Sequence, residues 1–164
     1  MRFKTLLLLA VFASPAAAQS AVADAKAHWL TIHNYILQSA KDVPDDKYAW
    51  KPTPEVRSFG EMFAHVAGAE SMFCAMALGI QPPAEDAVKA TTKASLVAAL
   101  EKSKADCDKA YAITDAAATA KIDVFGQQRT KLYALIMNAT HDGEHYGNLI
   151  TYLRMNKMIP PSSR

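Results

Sequence analysis

The sequence lacks a CxxC pair, a cluster of basic residues, internal repeats and low-complexity tracts. Beyond its N-terminal stretch it also lacks any apolar run long enough to cross a bilayer. Each absence removes a class of function. Without CxxC, a thiolate zinc site is not expected. Without a basic cluster, no nucleic-acid partner is expected. Without a second long apolar run, no stable membrane insertion is expected once the N-terminal stretch is gone. Strict alternation of apolar and polar residues is scarce too, so the reading is all-α.

The N-terminal stretch reads as a secretory leader. Arg2 and Lys4 give it a positive start, 5–13 is an apolar run, and Ala16, Ala17 and Ala18 form a small-residue cleavage site. That layout is too short and wrongly flanked for a membrane span. The expectation is cleavage after Ala18, a signal peptide over 1–18 and one domain over 19–164, periplasmic or secreted. The alternative is an uncleaved run that anchors the chain. Cleavage would remove Arg2 and Lys4 and no acid, taking the basic residues from eighteen to sixteen, equal to the sixteen acidic ones.

What remains is helical by period. The first helix is predicted over 22–41, with Trp29, Ile32, His33 and Ile36 on one side. Prolines at 52 and 54 forbid helix in the loop that follows. Ser58 with Glu61 three residues later is a capping box that starts the second helix. Gly79, Pro82 and Pro83 stop it. The third helix is predicted from 92 to 114 or a little beyond. The fourth runs over about 130–156, with Pro160 and Pro161 behind it. Gly143 and Gly147 inside it each cost about 1 kcal/mol relative to alanine, and such glycines often mark close approach of a backbone or ligand. Four helices joined by loops of middling length make a four-helix bundle the natural solution. Cys74 and Cys107 each fall about four turns into their helices. A disulfide and two separate buried thiols both remain open.

The chemistry concentrates in His141-Asp142-Gly143-Glu144-His145, with His65 upstream. Histidines four apart project from one helical face, a spacing that lets two imidazoles grip one metal ion. On a helical wheel with His141 at zero, His145 falls at about 40°, Asn138 at about 60°, Asn148 at about −20° and Tyr152 at about 20°. One side of the helix therefore carries a polar row beside an apolar stripe at roughly 80–180°. His65 points among Met62, Ala69, Met72 and Met76, where a neutral imidazole needs partners for both ring nitrogens. A lone histidine in such a place is usually a satisfied core residue; the facing pair is what favours a metal. His28 and His33 lie about 140° apart on their wheel and read as surface or boundary residues. Glu61 is explained by the capping box. Glu144 completes a His-x-x-Glu-His pattern known from one class of zinc proteases, but a small all-helical chain lacks their context. A partner role beside His141 suits Glu144 better.

Two blocks carry a resemblance to a known family. One is Trp50-Lys51-Pro52 together with Arg57-Ser58-Phe59-Gly60-Glu61-Met62-Phe63-Ala64-His65; the other runs from His141 to Arg154 and ends at Pro160 and Pro161. Over roughly 26–161 the chain resembles the DinB-like superfamily of metal-dependent helical proteins. The resemblance implies an up-down-down-up bundle and His65, His141 and His145 as ligands of one divalent metal, zinc or nickel first, with iron, manganese or copper as alternatives. It makes the second and third helices parallel, which keeps a Cys74–Cys107 bridge open. It implies a small-molecule substrate and hydrolysis or thiol S-transfer, and, because members often pair, it leaves a homodimer open. Glu144, Asn148 and Tyr152 are the candidate catalytic residues, with Asn138 a further candidate for orienting substrate. The competing reading is a non-catalytic metal-binding or structural helical bundle.

Overall fold

A computed structural model describes residues 20–164. The leader read at 1–18 lies outside the described residues. The order is α1 (Ala21–Asp42), α2 (Phe59–Leu78), α3 (Lys93–Ala110), a short α4 (Asp115–Ala118), β1 (Lys121–Val124), β2 (Gln127–Thr130) and α5 (Lys131–Met155). Each long helix starts on a hydroxyl cap. Ser20, Ser58, Thr92 and Thr130 accept from the backbone N–H three residues on, satisfying a donor with no partner inside the helix. The Ser58–Glu61 capping box forms as its spacing predicts. Gly79, at φ +76°, closes α2 in the left-handed conformation.

Residue pairings give the helix directions. Gly60 lies beside Leu96, Glu70 beside Ser103, and Cys74 is bridged to Cys107, so α2 and α3 run the same way. Lys131 reaches the Leu78 carbonyl oxygen, His145 meets His65 and Tyr152 meets Phe59, so α5 runs opposite to α2. The disulfide resolves the two readings of the cysteines; its Cα atoms are 5.1 Å apart.

Two expectations are corrected. The third helix ends at Ala110 and not near Thr114. Tyr111 turns inward, stacks on Trp29 at 4.7 Å between centroids and donates its hydroxyl to the Leu135 carbonyl oxygen, leaving Thr114 free to cap α4. The fold is mostly helical but not purely so, because 121–130 form an antiparallel hairpin. Its tip, Phe125 and Gly126, has φ of 52° and 78°. Positive φ at both central residues is the turn that matches strand twist.

The core has two apolar parts. One gathers Ile36, Phe59, Phe63, Leu96, Leu100, Leu149 and Leu153. The other gathers Trp29, Cys74, Cys107, Tyr111, Leu135 and Ala139. Between them, at one level, each long helix contributes a fully buried polar residue: His33, Glu70, Ser103 and Asp142. His141 and His145 flank Asp142 on α5, so the candidate site sits at this same level.

Candidate metal centre

His65 from α2 meets His141 and His145 from α5 where those helices cross in opposite directions. The Nε2 atoms of His65 and His145 are 2.8 Å apart, and those of His145 and His141 are 3.1 Å apart. Helical spacing supplies the pair and the α2–α5 contact supplies the third ring. The Nδ1 of His65 lies 3.0 Å from a Glu85 carboxylate oxygen. The negative charge beside Nδ1 favours the proton on that nitrogen, the tautomer that leaves Nε2 as a bare lone pair. A neutral imidazole carries one N–H, so three Nε2 atoms turned on one another cannot all be satisfied among themselves. A single cation between them satisfies all three, and the donor set fits a divalent metal.

The electrostatics favour the ligating form. Burial first, then the Arg57 cation, push His65 down to about 4. Burial, then His141 and His65, push His145 down to about 3. Burial lowers His141 as well. All three rings are therefore neutral at pH 7, as ligation requires.

Glu85 reaches His65 because of Gly68. A Cβ at Gly68 would lie 1.9 Å from the Glu85 backbone oxygen, so only glycine lets the 79–92 loop lie this close to α2. Beside His65, a cavity of about 290 Å³ is lined by Arg57, Glu61, Ala64, Glu85 and Lys89. That is near the lower end of the size range of small-molecule sites.

Behind His141 lies a second group able to hold a metal: His33, Glu70 and Asp142, all fully buried. Glu70 accepts from Trp29 Nε1 at 2.9 Å, from His33 Nδ1 at 2.7 Å and from the Ser103 hydroxyl. Burial alone would raise Glu70, but the His33 bond, that ring's charge and the other donors outweigh it and hold the carboxyl low. Burial, then the Glu70 charge, raise Asp142 well above the usual range and hold it toward its protonated form. A proton thus supplies the neutralisation that this layer needs.

The remaining sequence candidates scatter. Glu144 and Asn148 are exposed on α5, and the Glu144 charge bears on both His65 and His141. Tyr152 is buried and donates its hydroxyl to the Arg57 carbonyl oxygen at 3.0 Å. Asn138 is buried elsewhere, donating to the Tyr111 hydroxyl at 3.3 Å. His28 is exposed as expected. His33 is not a surface residue: it is fully buried on Glu70. Gly143 and Gly147 meet nothing within 4 Å, so no backbone approach explains them. Sequence reasoning missed Glu85, whose loop has no periodic signal. It also missed Asp142, although an acid at about 100° on the wheel falls inside the apolar stripe.

Fold and site together define a mostly helical protein with three convergent histidines that can hold a metal. The chain belongs to the DinB superfamily, whose family profile matches residues 15–149. A DinB-like protein from Bacillus cereus ATCC 10987 has a similar structure, with a TM-score of 0.72 at 16% identity over 84% of this chain and 93% of that one. A DinB-like protein from Bacillus subtilis, YjoA, is similar with a TM-score of 0.63 at 20% identity over 82% and 92%. At these identities the likeness concerns the fold. No curated protein matches the chain.

Proposed function

We propose that this protein is an exported, metal-dependent enzyme that acts on a small molecule by hydrolysis or thiol transfer. In this reading its long helices form an up-down-down-up four-helix bundle, and His65, His141 and His145 hold one zinc or nickel ion, with iron, manganese or copper as alternatives. The observation that carries the reading is the convergence of three neutral Nε2 atoms beside an open cavity. His65, His141 and His145 would hold a divalent ion whose Lewis acidity would polarise a carbonyl and lower the pKa of a bound water or thiol to about 7.

The chain's own groups do the rest. Glu85, its carboxylate beside the His65 Nδ1, favours the proton there and leaves Nε2 free to ligate. Arg57 forms no ion pair among the described residues and faces the histidines with its charge, so it is placed to hold an anionic part of a substrate. Tyr152, bonded to the Arg57 backbone, positions that arginine. Exposed Asn148 orients substrate from the rim, and Glu144 tunes the rings electrostatically. Whether copies pair does not alter this assignment.

The test is a screen of zinc- and nickel-loaded protein against activated esters and against a thiol with an electrophilic acceptor, beside His145→Ala. Turnover that disappears with the metal in the variant supports the reading. A variant that keeps both metal and turnover defeats it. Metal binding with no turnover in either screen would favour the non-catalytic alternative. The leader is checked separately: the N-terminal residue of protein recovered from the producing cell should be Gln19.

A further inference from the structure

The hairpin tip beside the histidines holds a residue that its conformation does not favour. Phe125 has φ of 52°, at a turn position where asparagine, aspartate and glycine are the usual occupants. A bulky side chain there is an outlier, and such outliers cluster where function requires them. Phe125 is 62% exposed, among the most exposed large apolar residues described. The tip is nonetheless built firmly. The Gly126 N–H donates to the Asp123 carboxylate at 3.0 Å, Val124 is buried, and the Lys131 N–H closes onto the Ala120 carbonyl oxygen at 3.0 Å.

The position of the ring connects it to the site. Phe125 sits edge-on to Phe73, with centroids 6.0 Å apart, and Phe73 sits edge-on to His141 at 5.7 Å. Half-buried Met76 and Met137 pack against the same Phe73 group. The candidate centre therefore has two unlike sides: charged toward Arg57 and Glu85, apolar toward the hairpin. We infer that Phe125 determines specificity, receiving the apolar substituent of a small substrate whose polar end lies at the three histidines. Thioether and aromatic side chains suit such a contact, being adaptable and large in area. This inference rests on the metal-dependent reading above.

The test uses two chelating probes that differ in their apolar part, acetohydroxamate and benzohydroxamate. Each is titrated calorimetrically into zinc-loaded protein and into Phe125→Asn, which places a favoured residue in the turn. The parent should prefer benzohydroxamate by about tenfold, as expected for partial burial of a ring, and the variant should lose most of that preference. The acetohydroxamate affinity should be unchanged and the melting temperature no lower. An unchanged preference overturns the inference while leaving the metal reading intact. So does a joint loss of both affinities with a lower melting temperature, which would make Phe125 a packing residue. A fall in particle mass by light scattering would make it a contact between copies and overturn it too. If zinc-loaded protein binds neither probe, the inference falls while the metal reading stands; if the protein takes up no zinc, both readings fail together.

Discussion

Asp142 and Glu70 show how one environment assigns two acids different states. Glu70 is surrounded by donors from Trp29, His33 and Ser103, whereas Asp142 faces the Glu70 charge itself, and burial together with that charge holds it toward its protonated form. Asp142→Asn replaces a protonated acid by a neutral amide of the same shape, and the expected loss in urea unfolding is within about 1 kcal/mol. Glu70→Ala leaves buried donors unserved and should lose about 3–5 kcal/mol. The reverse order would show that Asp142 carries the charge. The His-x-x-x-His spacing was legible because it needs only helical geometry. Asp142 was legible in principle, as an acid inside an apolar stripe. Its partner Glu70 was not, because the contact joins residues 72 apart in sequence, and proximity across a fold leaves no local trace.

The helices themselves were readable because caps and stops are local chemistry; Ser58–Glu61 and Gly79 act where their types and spacing place them. What misled was the stretch after Ala110, where the inward turn of Tyr111 overrides a continuing helical period. The hairpin was missed because strands of four residues are too short for alternation to stand out. Two predictions belong at this scale. Gly68→Ala should push the 79–92 loop off α2 and draw Glu85 from His65. The expected result is a loss of about 1–3 kcal/mol from the steric conflict and of about 10–100-fold in metal affinity, which Glu85→Ala should share. Normal metal affinity in both variants would remove Glu85 from the site. The Cys74–Cys107 bridge closes a separation of 33 residues between parallel helices. Replacing both cysteines by alanine should lower stability by about 3–4 kcal/mol on the chain-entropy account, read from denaturant unfolding.

For the molecule as a whole, two apolar clusters enclose a polar layer, and the three-histidine centre opens from that layer between α2 and α5. The same burial that keeps its rings neutral makes the metal-free protein sensitive to acid. In the unfolded chain these histidines titrate near 6.5, whereas in the fold His65 resists protonation to about 4 and His145 to about 3. Over that window the unfolded chain binds more protons, so stability falls as pH falls. The melting temperature of metal-free protein should drop between pH 6.5 and 4, and less so in His65→Ala/His145→Ala. A flat profile would show that the rings take up protons in the fold as readily as in the unfolded chain. Two groups of side chains can hold a metal, and the proposed function places it on the three histidines and not in the buried His33–Glu70–Asp142 layer. Elemental analysis of the purified protein beside His141→Ala/His145→Ala tests it directly. One divalent ion per chain is expected in the parent and none in the variant. Metal retained by the variant, or a parent that takes up none after incubation with zinc, nickel, manganese or ferrous iron, would contradict it.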